Sequence, residues 1–176
     1  VRPLITLTAL LLLTACGTPT PTPPPPDTTT TTPRPTGLVI TLGTVDAAMG
    51  LRSLDIQLTN HTTTPAMING YPHLRVLDKD HTPLEVTVGH GSSGVATVDN
   101  FDTPPQPITL QPGHTVHAGL LWRNLVTQTD RKATLGTYLD IAPTPDTPTR
   151  TLRPDGGIDL GNTTTLGLSA WKPPTN

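Results

Sequence analysis

The chain is short of cysteine, aromatic rings, charge and long apolar runs. Its 176 residues include one Cys, one Phe, two Trp and two Tyr, and 14% are charged. A single thiol rules out a disulfide within the chain, so a folded domain here must be held by its core. Five aromatic residues offer few flat platforms of the kind that bind sugars. Charges of both signs are scattered, with a net of −2 and no basic cluster, which argues against nucleic acid as a partner. The longest mostly apolar run, residues 4–15, covers 12 residues. A bilayer-spanning helix needs roughly 20. No window carries a sustained helical stripe flanked by caps.

What the chain does have begins at that short run. With Arg2 before it, the run suits the apolar region of a secretory signal, residues 1–15. It ends in Leu13-Thr14-Ala15-Cys16, which resembles the lipobox of bacterial lipoproteins. That resemblance implies a diacylglyceryl group on Cys16 and cleavage just before it, the small Thr14 and Ala15 giving the peptidase access. Each buried acyl CH₂ contributes about 0.8 kcal/mol, and stable anchoring takes two chains. The expected location is the outer face of the cell membrane, held by lipid. Without Arg2 the net charge becomes −3.

Residues 17–36 hold nine Thr and eight Pro. Proline fixes φ and removes backbone donors, and nothing apolar here could join a core. Cys16 and this tract make residues 16–37 a lipidated tether. In polyproline-like geometry, at about 3.1 Å per residue, it is a spacer of roughly 60 Å. Its Thr-Pro composition is also compatible with O-linked sugars.

From Leu38 to Lys172, period two takes over, and residues 173–176 form a tail. LVITL (38–42) is a β-rich run. LDIQL (54–58) places Leu54, Ile56 and Leu58 on one face, and PLEVTV (83–88) does the same for Leu84, Val86 and Val88. TVHAGLLW (115–122) aligns Val116, Ala118, Leu120 and Trp122; TYLDI (137–141) and TTLGLSAW (164–171) complete the series. Pro, Gly and Asp clusters punctuate these runs, among them Asp78–His81, Gly89–Gly94, Pro104–Pro107 and Pro112-Gly113. Short strands at this spacing predict an all-β domain, an antiparallel β-sandwich.

Three clusters carry a family likeness. They are Leu58-Thr59-Asn60; Gly70-Tyr71-Pro72 with Leu74, Val76, Leu77 and Asp78 after it; and Leu110-Gln111-Pro112-Gly113 with Trp122 nine residues on. Together they resemble the bacterial lipoprotein domain of the domain-of-unknown-function 4232 family, over roughly residues 38–170. The resemblance implies an exported immunoglobulin-like sandwich and brings no activity with it. Many members carry a cysteine shortly before the Gly-Tyr-Pro block, where this chain reads Pro65-Ala66-Met67-Ile68. The residues of the clusters also read as structure. Pro72 pushes Tyr71 into extended geometry, Tyr71 is suited to bury its ring, and Pro112-Gly113 predicts a type II turn.

Candidate chemistry is sparse. GHGSSG (89–94) sets His90 close to Ser92 and Ser93, a pairing open to a small serine hydrolase. It does not fit G-x-S-x-G, and no neighbouring acid in the sequence orients His90. Six histidines (His61, His73, His81, His90, His114 and His117) allow a metal-handling alternative. Only His114 and His117 are close, and i, i+3 positions on a strand face opposite ways. Asp78-x-Asp80 fits turn chemistry better than calcium. No metal, catalytic residue or cofactor is therefore assigned. Of the aromatics, Trp122 lies on an inward register, while Phe101 and Trp171 remain available to face solvent. Phe101, in a polar, proline-rich loop, is the candidate partner contact. The reading is a non-catalytic, anchored domain that binds an envelope component, a cell-wall component or an exported protein through its loops.

Overall fold

The computed structural model describes residues 35–127 and 129–173, which belong to one compact unit, Arg34–Asn176. The expected signal peptide, Cys16, the tether up to residue 34 and the last three residues lie outside the described residues. In chain order the strands are β1 (Leu38–Ala48), β2 (Leu51–Asn60), β3 (Ala66–Ile68), β4 (His73–Leu77), β5 (Thr87–His90), β6 (Ile108–Leu110), β7 (Thr115–Arg123), β8 (Thr134–Gly136), β9 (Tyr138–Ala142), β10 (Arg150–Leu152), β11 (Ile158–Gly161) and β12 (Thr165–Leu168). There is no helix among the described residues, so the domain is all-β.

The main sheet has the order β1-β2-β7-β12-β5, and a second has the order β10-β9-β4. Two smaller pairs, β11-β8 and β3-β6, complete the set. The period-two pattern explains the core. On β2, Leu54, Ile56 and Leu58 are buried, and across the pairing they meet Leu120, Ala118 and Val116 of β7. The second sheet contributes Leu74 and Val76 opposite Ile141 and Leu139. All of these join one apolar cluster with Ile158, Leu160, Leu166 and Trp171. Each large aliphatic side chain fully buried there stabilises the fold by about 1.5–3 kcal/mol.

Pairing departs from the expected all-antiparallel pattern at one edge, where β5 runs parallel to β12. The expected strand over 83–88 is likewise shorter, regular only from Thr87. The cause is a change of sheet. The Leu84 N–H still bonds the Val76 carbonyl of β4 (2.9 Å), the Val86 N–H turns back onto the Leu84 carbonyl (2.9 Å), and the Thr87 N–H bonds Thr164 (2.7 Å). Leu84, Val86 and Val88 nevertheless pack against the core from this crossing.

The motif clusters are junctions between elements. Asn60 is fully buried, and its amide donates to the Leu110 and Thr64 carbonyls at 2.9 Å. Its Oδ1 accepts from the Thr62 N–H and hydroxyl, and its carbonyl accepts from the Gly113 N–H at 2.7 Å. At the Pro112-Gly113 turn the His114 N–H bonds the Gln111 carbonyl (3.0 Å), and Gly113 has φ +77, a type II arrangement. The Gly70 carbonyl accepts from the Trp171 N–H. Trp171 is thus a core residue, 2% exposed, with its indole N–H on the Pro143 carbonyl; it does not face solvent. At the next turn, Asp78 Oδ1 accepts from the N–H groups of Asp80 and Thr82, as turn chemistry predicts.

Candidate functional site

The end of β5 and the loop that follows it hold His90, Ser92, Ser93 and Phe101. Phe101 must be corrected first. It is 8% exposed and forms a small cluster with Val95 and Leu121, flanked by Leu51 and Val98. Inward registers of the main sheet feed the large core, so Leu121, facing the other way, needs its own cover. Phe101 supplies it by folding back over β7. The approach is close because position 119 is glycine: a Cβ there would sit 2.7 Å from the Phe101 ring. The ring is therefore an anchor of the loop and not the exposed side chain expected from its loop, although it also lines the groove beside His117 and Lys172.

Other contacts pin the same loop. The Asp102 carboxylate accepts from the Ser92 N–H at 2.6 Å and from the Ser92 hydroxyl at 2.7 Å. Hydrogen bonds from the Ser92 backbone, then from its hydroxyl, hold the Asp102 carboxyl below its ordinary value of 3.8. The Lys172 ammonium donates to the Asn100 carbonyl and lies 5.9 Å from the Phe101 ring centroid. Desolvation lowers the Lys172 pKa, against the opposing pull of Asp102. Arg123 donates to the Val95 carbonyl at 3.0 Å.

His90 is engaged elsewhere. Its imidazole is stacked on the Tyr71 ring, with centroids 3.7 Å apart and planes 1° from parallel. The Ser93 hydroxyl donates to the His90 backbone carbonyl at 3.3 Å, not to its ring. A serine is therefore matched with an acid and a histidine with a tyrosine, and no hydrogen bond among the described residues joins the His90 ring to Ser92 or Ser93. Asp102 was not singled out in the sequence because it stands ten residues beyond Ser92. Only loop closure brings it back.

The remaining histidines are dispersed. His81 stacks on Tyr138 at 4.2 Å. His117 of β7 has a carboxylate beside it, since Asp55 of the adjacent strand lies 3.0 Å from its Nδ1. Sequence spacing could not show this, because the two are 62 residues apart. Gln57 also donates to Asp55, and with Lys172 the pair borders an open groove of about 430 Å³. Among the described residues no three His, Cys, Asp or Glu side chains gather as a metal site.

A second groove, about 390 Å³, opens where the edge strands of the two sheets face each other. Leu74, Leu84, Val86 and Leu168 give it apolar walls, and His73, Arg75 and His90 give it a polar rim. Its size lies within the usual range of ligand clefts, roughly 300–1,000 Å³.

With this geometry in view, the comparisons with known proteins give one match. The family model described as Domain of unknown function (DUF4232) covers residues 33–172. The chain belongs to that family. Neither the curated proteins nor the solved structures gave a match. The DUF4232 region thus takes in every strand of the domain, the Asn60 junction, the Gly-Tyr-Pro block and, Pro173 apart, the lining of both grooves.

Proposed function

We propose that this DUF4232 protein is an exported lipoprotein, anchored through a diacylated Cys16, whose immunoglobulin-like domain works by binding and not by catalysis. The partner is an envelope component or another exported protein. The observation that carries the non-catalytic reading is the separation of the candidate dyad. Ser92 gives its hydroxyl to Asp102 while His90 lies flat on Tyr71, so the imidazole is not placed to take a proton from the serine. The anchor rests on Leu13-Thr14-Ala15-Cys16 and on the Pro/Thr tract after it. The immunoglobulin-like assignment rests on two multi-stranded sheets sharing one core, with β5 crossing between them to run parallel to the last strand.

The test has two arms. Intact-mass analysis of the protein from bacterial membranes should give a chain beginning at Cys16 and heavier by a diacylglyceryl group; an unmodified Cys16 would remove the anchor. A p-nitrophenyl ester assay should show no hydrolysis above a Ser92→Ala control. Turnover that disappears with Ser92 or His90 would replace binding by hydrolysis.

A further inference from the structure

We propose that the groove between β4 and β5 takes an extended peptide segment of a partner protein, with alternate residues apolar and an acidic residue between them, which adds as a sixth strand beside β5. This names a partner class for the binding role proposed above and rests on that role.

The backbone on both sides of the groove carries the argument. The N–H groups of Thr87, in β5, and of Gly91, just after it, bond the Thr164 and Leu168 carbonyls, with Gly89 between them in register against β12. Neighbouring residues of a strand point their backbone groups in opposite directions, so Val88 and His90 direct theirs away from β12. The His90 carbonyl meets the Ser93 hydroxyl. β5 is the last strand of its sheet, so the Val88 N–H, the Val88 carbonyl and the His90 N–H lie along its outer edge. Opposite them, β4 pairs with β9 on one side, and its other side is partly taken by residues 82–84, where Leu77 bridges Pro83 and the Val76 carbonyl accepts from the Leu84 N–H. Leu74 lies two residues earlier and shares that direction, so its N–H and carbonyl face the groove. A row of unpaired groups along a sheet edge is a template for another strand.

The side chains select what that strand would be. Leu74, Leu84, Val86 and Leu168 offer pockets for alternate apolar residues. The ionisable groups lining the groove are His73, Arg75 and His90, and no carboxylate is among them. Arg75 is paired with Asp140 at 3.0 Å, but its side chain is 53% exposed. An acidic residue on the incoming strand complements this rim, and a basic one does not. Pro72 and Pro83 bracket the β4 side. The segment around Pro83 already pairs with β4 at Leu77 and Val76, which directs strand addition to β5.

Hydrogen exchange on the whole protein tests this with acetyl-Thr-Val-Glu-Val-Thr-amide as the probe. The expected result is exchange at the Val88 and His90 amides slowed several-fold at saturating peptide. N-methylating both valines of the probe should weaken binding at least tenfold, and Glu→Lys in the probe several-fold. Val88→Pro should also weaken binding at least tenfold, because it removes an N–H that β12 does not use. If that variant fails to fold, the N-methyl comparison decides. Unchanged exchange at Val88 and His90, or equal binding of the N-methylated probe, overturns strand addition while leaving a loop-based binding role intact. Protection that grows with protein concentration without peptide means a second copy fills the groove. Protection by decanoate alone means an acyl chain does. Either overturns the peptide assignment. Ester hydrolysis lost with Ser92 would instead overturn the underlying reading.

Discussion

The Asn60 side chain reaches the Leu110 carbonyl at 2.9 Å across 50 residues of sequence, and no water is needed to satisfy it. Its four side-chain hydrogen bonds join the end of β2, the turn after it and the end of β6. A fully buried amide with every bond made specifies one arrangement of those segments. With a bond missing it would penalise the fold.

The first prediction follows from that junction. Asn60→Ala leaves the Leu110 carbonyl and the Thr62 N–H without their partner, and should cost about 3 kcal/mol. Urea denaturation of the wild type and the variant reads the difference directly. A change below about 0.5 kcal/mol, typical of surface substitutions, would mean the junction is not structural.

Phe101 gives the second. Because its ring covers Leu121 and fills the space above Gly119, Phe101→Ala should destabilise the domain by about 3 kcal/mol. Gly119→Ala should disturb the same loop from below. Amide chemical shifts of residues 91–107 should move in both variants, with the β4 and β9 resonances little changed. A Phe101→Ala domain as stable as wild type would return the ring to the surface.

Acid should loosen the loop through Asp102. Its folded-state pKa is lowered, so its contribution is fully present above the ordinary value of 3.8 and is lost as pH falls through the lowered folded value. The wild type should therefore be more stable than Asp102→Asn at neutral pH, and the two should converge at the acid end. Denaturation curves taken from about pH 5 downward check this. A constant offset across the range would show that the carboxylate charge is not what holds Ser92.

The anchor yields the fourth prediction. Cys16→Ser should leave the protein unlipidated and uncleaved, since no other thiol exists to be acylated. Fractionation with mass analysis separates the two forms. A Cys16→Ser chain that still carries acyl groups would contradict the lipobox assignment.

Much of the architecture was legible along the chain because strand burial is a local signal. Leu54, Ile56 and Leu58 had to share a face whatever lay across from them, and the same holds for Val116, Ala118, Leu120 and Trp122. Positive φ at Gly113 follows equally locally from a proline before it. Short strands such as β3, β6, β8 and β10 left no such pattern, since three residues cannot establish a period. The interior place of Phe101 was hidden for another reason. A loop's composition describes its own residues, whereas burial of that ring depends on Leu121 and on the missing side chain of Gly119.

By itself, the sequence determined the β class of the domain, its inward faces and its turns, all set by neighbours within a few residues. Tertiary structure alone decided who meets whom: Asp102 with Ser92, Asp55 with His117, and Tyr71 with His90. Those encounters depend on strand register and on the crossing that sends β5 from one sheet to the other. That crossing also leaves β5 as an edge facing the groove, because a chain changing sheets stops pairing with the first before it is flanked on both sides in the second.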